Sequence, residues 1–275
     1  MQYPGAIFVT EPRRKLGYCH VPKVASTALM TSFAEMNFME EDSIQKYLKS
    51  MKLHDHLFEN FSLKFPMESS KLSKLYTFVF LRHPFERLAS AFHDKFVIRQ
   101  QVNIMKPFIQ HYLQSHNLEI PGNLNDIEHW KDAKNWIKQH VDVWFAKFVD
   151  FVLYESAMPR RIAGVSCHWW AFTDLCKLCE LQFDFIGKIE TFQQDVSCLV
   201  ENFPEYDILQ WMKYKTKEKI NANDDHDKDL SMKYFSELTK SQVLDLYDIY
   251  KLDFLIGGYK FPQQYIEVAK PDTKS

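Results

Sequence analysis

The sequence predicts an α/β protein with a central parallel sheet flanked by helices, and three observations carry the prediction. At three places a short apolar run is followed by an abrupt polar turn and then an amphipathic helical stripe, the order that builds parallel strands covered by helices. The 275 residues are 46% hydrophobic and 25% charged, enough to bury one large core. No internal repeat, low-complexity stretch or linker interrupts them, so the chain reads as one domain, 1–275, with a core over about 15–260 and a polar C-terminal tail.

The first unit has a strand over Leu16-Gly-Tyr-Cys-His-Val21, a turn, and a helix whose Leu29, Phe33 and Met36 recur at i, i+4 and i+7. In the second, Tyr76-Thr-Phe-Val-Phe-Leu81 is a buried strand, and a helix opens at Pro84, whose fixed φ suits the first helical position. Its stripe is Phe85, Leu88, Phe92 and Phe96. The third has Phe183-Asp-Phe-Ile186, the turn Gly187 to Thr191, and a helix with Phe192, Val196, Leu199, Val200 and Phe203 on one face. Between the second and third, roughly 105–155 reads as helices carrying Trp130, Trp136 and Trp144. Thr239-Lys-Ser-Gln242 is a capping-box pattern ahead of Val243, Leu244, Tyr247 and Tyr250, and the tail after Phe261 reads as frayed.

Composition removes several classes of function. Only 7 residues are glycine, and neither G-x-G-x-x-G nor G-x-x-x-x-G-K-[ST] occurs, which argues against Rossmann dinucleotide enzymes and Walker-type ATPases. The net charge of −2 gives no general attraction to nucleic acid. The first hundred residues nevertheless hold 14 Lys and Arg against 10 Asp and Glu, so an anionic ligand is expected there. No window approaches the ~20 apolar residues of a membrane span, and the first twenty residues, with Glu11, Arg13, Arg14 and Lys15, hold no signal-peptide core. The one sequon, Asn60-Phe61-Ser62, is the number expected by chance. Of the five cysteines, Cys19, Cys167, Cys176, Cys179 and Cys198, four crowd into 167–198, and Cys176-Lys-Leu-Cys179 lacks the second ligand pair a zinc site needs. A local disulfide cluster or reduced core thiols is expected instead.

In parallel sheets ligands bind at the carboxyl ends of the strands, which directs attention to the turns. The first reads Pro22-Lys23-Val24-Ala25-Ser26-Thr27. A helix start has unpaired amides and a dipole that favours an anion; Lys23 adds a full charge and Ser26 and Thr27 add hydroxyls. Helix capping by Ser26 or Thr27 competes with this reading. The second turn sets Arg82 at a strand end, where a guanidinium suits phosphate, and Ser90 two turns into the helix, off its apolar stripe. Arg87 is also off the stripe and fits a solvated charge pattern with Glu86 or Asp94.

The segments Cys19-His-Val-Pro-Lys-Val-Ala-Ser-Thr27 and Phe80-Leu-Arg-His-Pro-Phe-Glu-Arg-Leu-Ala-Ser-Ala-Phe-His-Asp-Lys-Phe96 strongly resemble the Golgi carbohydrate sulfotransferases, in particular the chondroitin/dermatan 4-O-sulfotransferase group. The resemblance continues in Cys167-His168-Trp169, Cys176-x-x-Cys179, Asp184 to Thr191 and Tyr250-Lys-Leu-Asp-Phe254, in order, from about Gly17 to Tyr259. It implies a P-loop-like three-layer fold and 3′-phosphoadenosine 5′-phosphosulfate as sulfuryl donor, with no metal required. Pro22, Lys23, Val24, Ala25, Ser26 and Thr27 would wrap the 5′-phosphosulfate; Arg82 and Ser90 would hold the 3′-phosphate. Lys23 would stabilise the departing phosphate. His168, in the matching His-Trp pair, would be the general base, with Trp169 a sugar platform and His54, His56 and His83 in reserve. Where the family often has Gly-Cys-Thr-Asn-Trp, this chain has Ala25-Ser-Thr-Ala-Leu29. The acceptor implied is a glycan, on a glycosaminoglycan or a glycoprotein, and the place of action the Golgi lumen or membrane. Membrane attachment would come only through an N-terminal anchor not present in this sequence. The competing readings are an inactive relative that binds nucleotide or glycan without transfer, and a P-loop-like nucleotide kinase, which a magnesium requirement would reveal.

Overall fold

The computed structural model describes residues 6–11, 13, 15–37, 39–50, 53–64, 66, 68–101, 104–105, 107–109, 111, 141–158, 166–201 and 224–272. In chain order the elements are β1 (Ile7–Glu11), β2 (Leu16–Cys19), α1 (Ser26–Met36), α2 (Glu41–Lys49), α3 (Leu53–Asn60), β3 (Ser62–Lys64), α4 (Ser69–Leu72), β4 (Tyr76–Leu81) and α5 (Pro84–Phe92), which runs into a π-helix at His93–Ile98. Then come α6 (Val141–Ala157), a 3-10 turn at Ser166–His168, α7 (Phe172–Leu175), β5 (Phe185–Lys188), α8 (Phe192–Glu201), α9 (Asp224–Phe235), α10 (Lys240–Ile256) and α11 (Gln263–Val268). They fall into two compact units. One is Met1–Arg82 with Trp170–Asp224; the other is His83–Trp169 with Asp225–Ser275.

The first unit holds the sheet, whose described strands lie in the order β3-β1-β2-β4-β5. β2, β4 and β5 run parallel, with Leu16 opposite Tyr76 and Phe78 opposite Phe185. The sheet is mixed rather than parallel throughout, because β1 and β3 add an antiparallel edge, β1 folding back on β2 and β3 on β1. The core therefore begins at Ala6, well before residue 15. Tyr18 packs on Phe78 with ring centroids 5.5 Å apart and on Phe33 at 6.0 Å, joining sheet to α1. The predicted stripe of Leu29, Phe33 and Met36 is fully buried, and β4 matches its predicted span.

β5 starts two residues later than the apolar run suggests. The Asp184 carboxylate accepts the Thr77 amide at 2.7 Å while its own amide donates to the Thr77 carbonyl at 2.9 Å, and the ladder begins at Phe185. Phe192, Val196 and Leu199 are buried as expected, whereas Phe203, Trp130 and Trp136 lie outside the described residues.

The second unit is helical. Phe92 sits among Phe96, Phe145, Phe148 and Tyr234, with centroids 5.1–5.3 Å away. The capping box closes α10, with the Thr239 hydroxyl accepting the Gln242 amide and the Gln242 side chain accepting the Thr239 amide at 3.0 Å. The described part of the C-terminal tail, through residue 272, is folded and not frayed: α11 buries Tyr265 against Phe85 and Phe235, and the Lys270 amide donates to the Leu238 carbonyl at 2.8 Å. One aromatic anchor supplies what the polar composition of the tail conceals. Among the described residues no helix is long and apolar enough to cross a membrane, and no group of three or more His, Cys, Asp or Glu side chains is arranged to hold a metal ion.

Candidate functional site

The turn after β2 is built on backbone that glycine normally supplies. Lys23 has φ 70° and Ala25 φ 53°, both in the left-handed region, where a side chain costs roughly 1–2 kcal/mol. Ala25 stands where the resembling family often carries glycine. Such conformations turn successive amides toward one point and make an anion-binding concavity. Ala25 is also the N-cap of α1 and makes no side-chain cap bond; its carbonyl accepts the Ala28 and Leu29 amides at 2.9 and 3.2 Å. Ser26 and Thr27 are thus the first two residues of the helix and not its caps. That removes the capping explanation and leaves their hydroxyls at the helix mouth.

Arg82 enters the same site from the end of β4. It is only 7% exposed, and its Nη1 donates to the Lys23 carbonyl at 3.3 Å. A guanidinium presents five donors in a planar fork that matches phosphate geometry. On this unit the structure brings together Pro22, Lys23, Val24, Ala25, Ser26, Thr27 and Arg82.

A disulfide pins the approach to this turn. Cys19, the last residue of β2, is bonded to Cys176, 157 residues away, just after α7. This corrects the expectation of a local cluster; the expectation of reduced core thiols holds for buried Cys167 but not for Cys19 and Cys176. The two cysteines are distant in sequence but neighbours within the first unit, and spacing along the chain could not show it. Cys167, Cys179 and Cys198 form no disulfide. Burial pushes the Cys167 thiol up to about 11, which keeps it protonated and unreactive.

The third strand-turn-helix unit offers a contrast. There the Asp195 carboxylate accepts both the Lys188 amide and the Thr191 hydroxyl, each at 2.7 Å. The protein's own carboxylate fills that turn.

On the second unit, Ser90 lies half-buried on α5, whose start is Pro84, as predicted. Arg87 is not solvated. It is 1% exposed, and its Nη1 donates to the His168 carbonyl at 3.0 Å. α5 is buried on nearly every side, so a position off the apolar stripe is still interior. His168 ends the short 3-10 turn and is half-buried. Trp169 is no sugar platform: it is 2% exposed, its Nε1 donates to Glu155 Oε2 at 2.8 Å, and its ring meets Phe148 edge-on at 5.1 Å. The Tyr250 hydroxyl donates to the Trp169 carbonyl.

The reserve histidines have other surroundings. His83 is enclosed by the rings of Phe254, Tyr259 and Tyr265 at 5.1–5.4 Å, which is packing. His54 meets His20 at 5.2 Å, and His56 stacks on Tyr47 at 4.5 Å, all within the first unit. Sequence reasoning missed Glu155 and misread Arg87. The signal available for Arg87 was its place in a helix whose neighbours are almost all apolar.

Known proteins resemble this chain over most of its length. The model of a family described as the sulfotransferase family matches residues 7–260. Among curated proteins, the chain is 24% identical over 256 residues to carbohydrate sulfotransferase 11 of Danio rerio, covering 92% of this chain and 67% of that protein. It is 27% identical to carbohydrate sulfotransferase 10 of Xenopus laevis, covering 93% and 68%, and 25% identical to carbohydrate sulfotransferase 9 of Homo sapiens, covering 92% and 53%. No solved structure matches the chain significantly.

Proposed function

The chain belongs to the sulfotransferase family, and from that premise we propose that it transfers a sulfuryl group from 3′-phosphoadenosine 5′-phosphosulfate to a glycan hydroxyl. The acceptor we propose is a chondroitin-like chain sulfated at the 4-O position of N-acetylgalactosamine, after the resemblance to that group. The observation that carries the reading is the uncapped, left-handed turn at Lys23 and Ala25 with Arg82 bonded to its carbonyl. The family match runs across both units without a break, which supports treating 1–275 as a single catalytic domain.

When bound, the donor supplies a sulfur whose bond to the phosphate oxygen is cleaved. Pro22 to Thr27 hold the 5′-phosphosulfate through backbone amides and the Ser26 and Thr27 hydroxyls. Lys23 neutralises charge building on the departing phosphate oxygen. The resemblance assigns the 3′-phosphate to Arg82 and to Ser90, and the Arg82 guanidinium suits it. His168 takes the proton from the acceptor hydroxyl as its oxygen bonds to sulfur; histidine is the side chain most often used for such a proton transfer. A sulfuryl group carries less charge than a phosphoryl group, so these residues suffice without a metal. The Cys19–Cys176 disulfide supports an oxidising compartment, in keeping with the Golgi lumen.

Transfer of labelled sulfate to a panel of desulfated glycosaminoglycans tests this. Wild type is expected to label chondroitin best, to keep its activity in EDTA, and to lose about a hundredfold in kcat as His168→Ala. Donor binding without transfer to any glycan would make the protein an inactive relative. Full activity in His168→Ala would move the base elsewhere, with His54 next to be tested.

A further inference from the structure

The geometry points to Arg87, Glu155 and Tyr250 as positioning residues that aim the His168 imidazole. This deepens the proposed function and rests on His168 being the base. The 3-10 turn at Ser166–His168 is too short to hold a side chain in place through its own hydrogen bonds. Three helices of the same unit hold it instead. From α5, Arg87 donates to the His168 carbonyl at 3.0 Å; from α10, the Tyr250 hydroxyl donates to the next carbonyl, that of Trp169; from α6, Glu155 accepts the Trp169 indole N–H at 2.8 Å. Two consecutive carbonyls and the following side chain are therefore anchored, and the direction in which His168 leaves the backbone is set.

The burial of these groups shows what they do. Arg87 is 1% exposed and Glu155 is 2% exposed, and charged side chains are kept in an interior only when they are paired or bonded. Each of them makes a bond to the His168–Trp169 segment. A general base must sit within about 3 Å of the proton it takes, and misplacement of a catalytic group by about 1 Å can cost on the order of a hundredfold. A clamp on the backbone of the base is what such a tolerance requires.

The test is a double-mutant cycle on kcat, with Tyr250→Phe and His168→Ala alone and together. Tyr250→Phe deletes one oxygen and no packing volume, so the fold should survive; thermal melts of all four proteins check this. The expected result is that Tyr250→Phe lowers kcat about tenfold, leaves the KM for the donor unchanged, and has no further effect once His168 is alanine. Arg87→Lys, which keeps the charge but not the fork, is expected to behave the same way where it folds. Equal losses from Tyr250→Phe with and without His168, or none at all, would overturn the clamp while leaving His168 as the base. Full activity of His168→Ala alone would overturn the clamp by removing the base it serves. Activity of the single variants tells these failures apart.

Discussion

Lys23→Gly is expected to lower kcat/KM for sulfuryl transfer by about a thousandfold while leaving the protein as stable as wild type, within about 1 kcal/mol. The two halves of this result come from different properties of one residue. The ammonium is the full charge at a turn otherwise made of backbone and hydroxyls, and it is assigned to the oxygen on which charge builds in the transition state. Its backbone, at φ 70°, occupies a region glycine enters without steric cost. Glycine therefore removes the chemistry and relieves the strain together. The Lys23 carbonyl that receives Arg82 is kept, since it belongs to the main chain. Initial rates at varied donor, with a thermal melt on the same sample, separate the two effects. A variant as unstable as it is inactive would show that Lys23 supports the fold and not the reaction.

Cys19→Ser is expected to cost about 4 kcal/mol of stability, and a reducing agent about as much in the wild type. The cross-link joins residues 157 apart, and closing so long a loop removes much of the freedom of the unfolded chain. Ordinary domains are stable by only ~5–15 kcal/mol, so the loss is a large share. Denaturant unfolding with and without reductant measures it. Because Cys19 ends β2 four residues before Lys23, donor affinity is expected to fall with stability. Unchanged unfolding in reductant would mean that this bridge does not constrain the unfolded state.

Much of the candidate site was legible in the sequence because the residues proposed for it lie in local strand–turn–helix patterns. The Lys23 turn and Arg82 each follow an apolar run that can only be a buried strand, and the helices after them are marked by Leu29, Phe33 and Met36 and by Phe85, Leu88 and Phe92. What escaped was decided by partners far along the chain. The antiparallel edge depends on β1 meeting β2 and β3, and the disulfide on Cys19 meeting Cys176. Arg87 looked solvated because helical phase separates it from the apolar stripe, but most residues of α5 are buried, and its guanidinium donates to a carbonyl 81 residues away. Trp169 looked like a platform for a sugar because nothing in its neighbours announces Glu155, which takes its indole N–H into the interior. The left-handed backbone at Lys23 and Ala25 was invisible for a different reason: neither residue type advertises it.

The central claim is that the Lys23 turn and Arg82 form the donor site. Calorimetric titration with adenosine 3′,5′-bisphosphate tests it most directly, since this ligand carries both phosphates and cannot react. Wild type is expected to bind one equivalent, and Arg82→Ala to bind at least about tenfold more weakly, as befits loss of a charge-assisted bond to phosphate. Equal affinity in the two proteins, with the fold of the variant intact, would contradict the assignment.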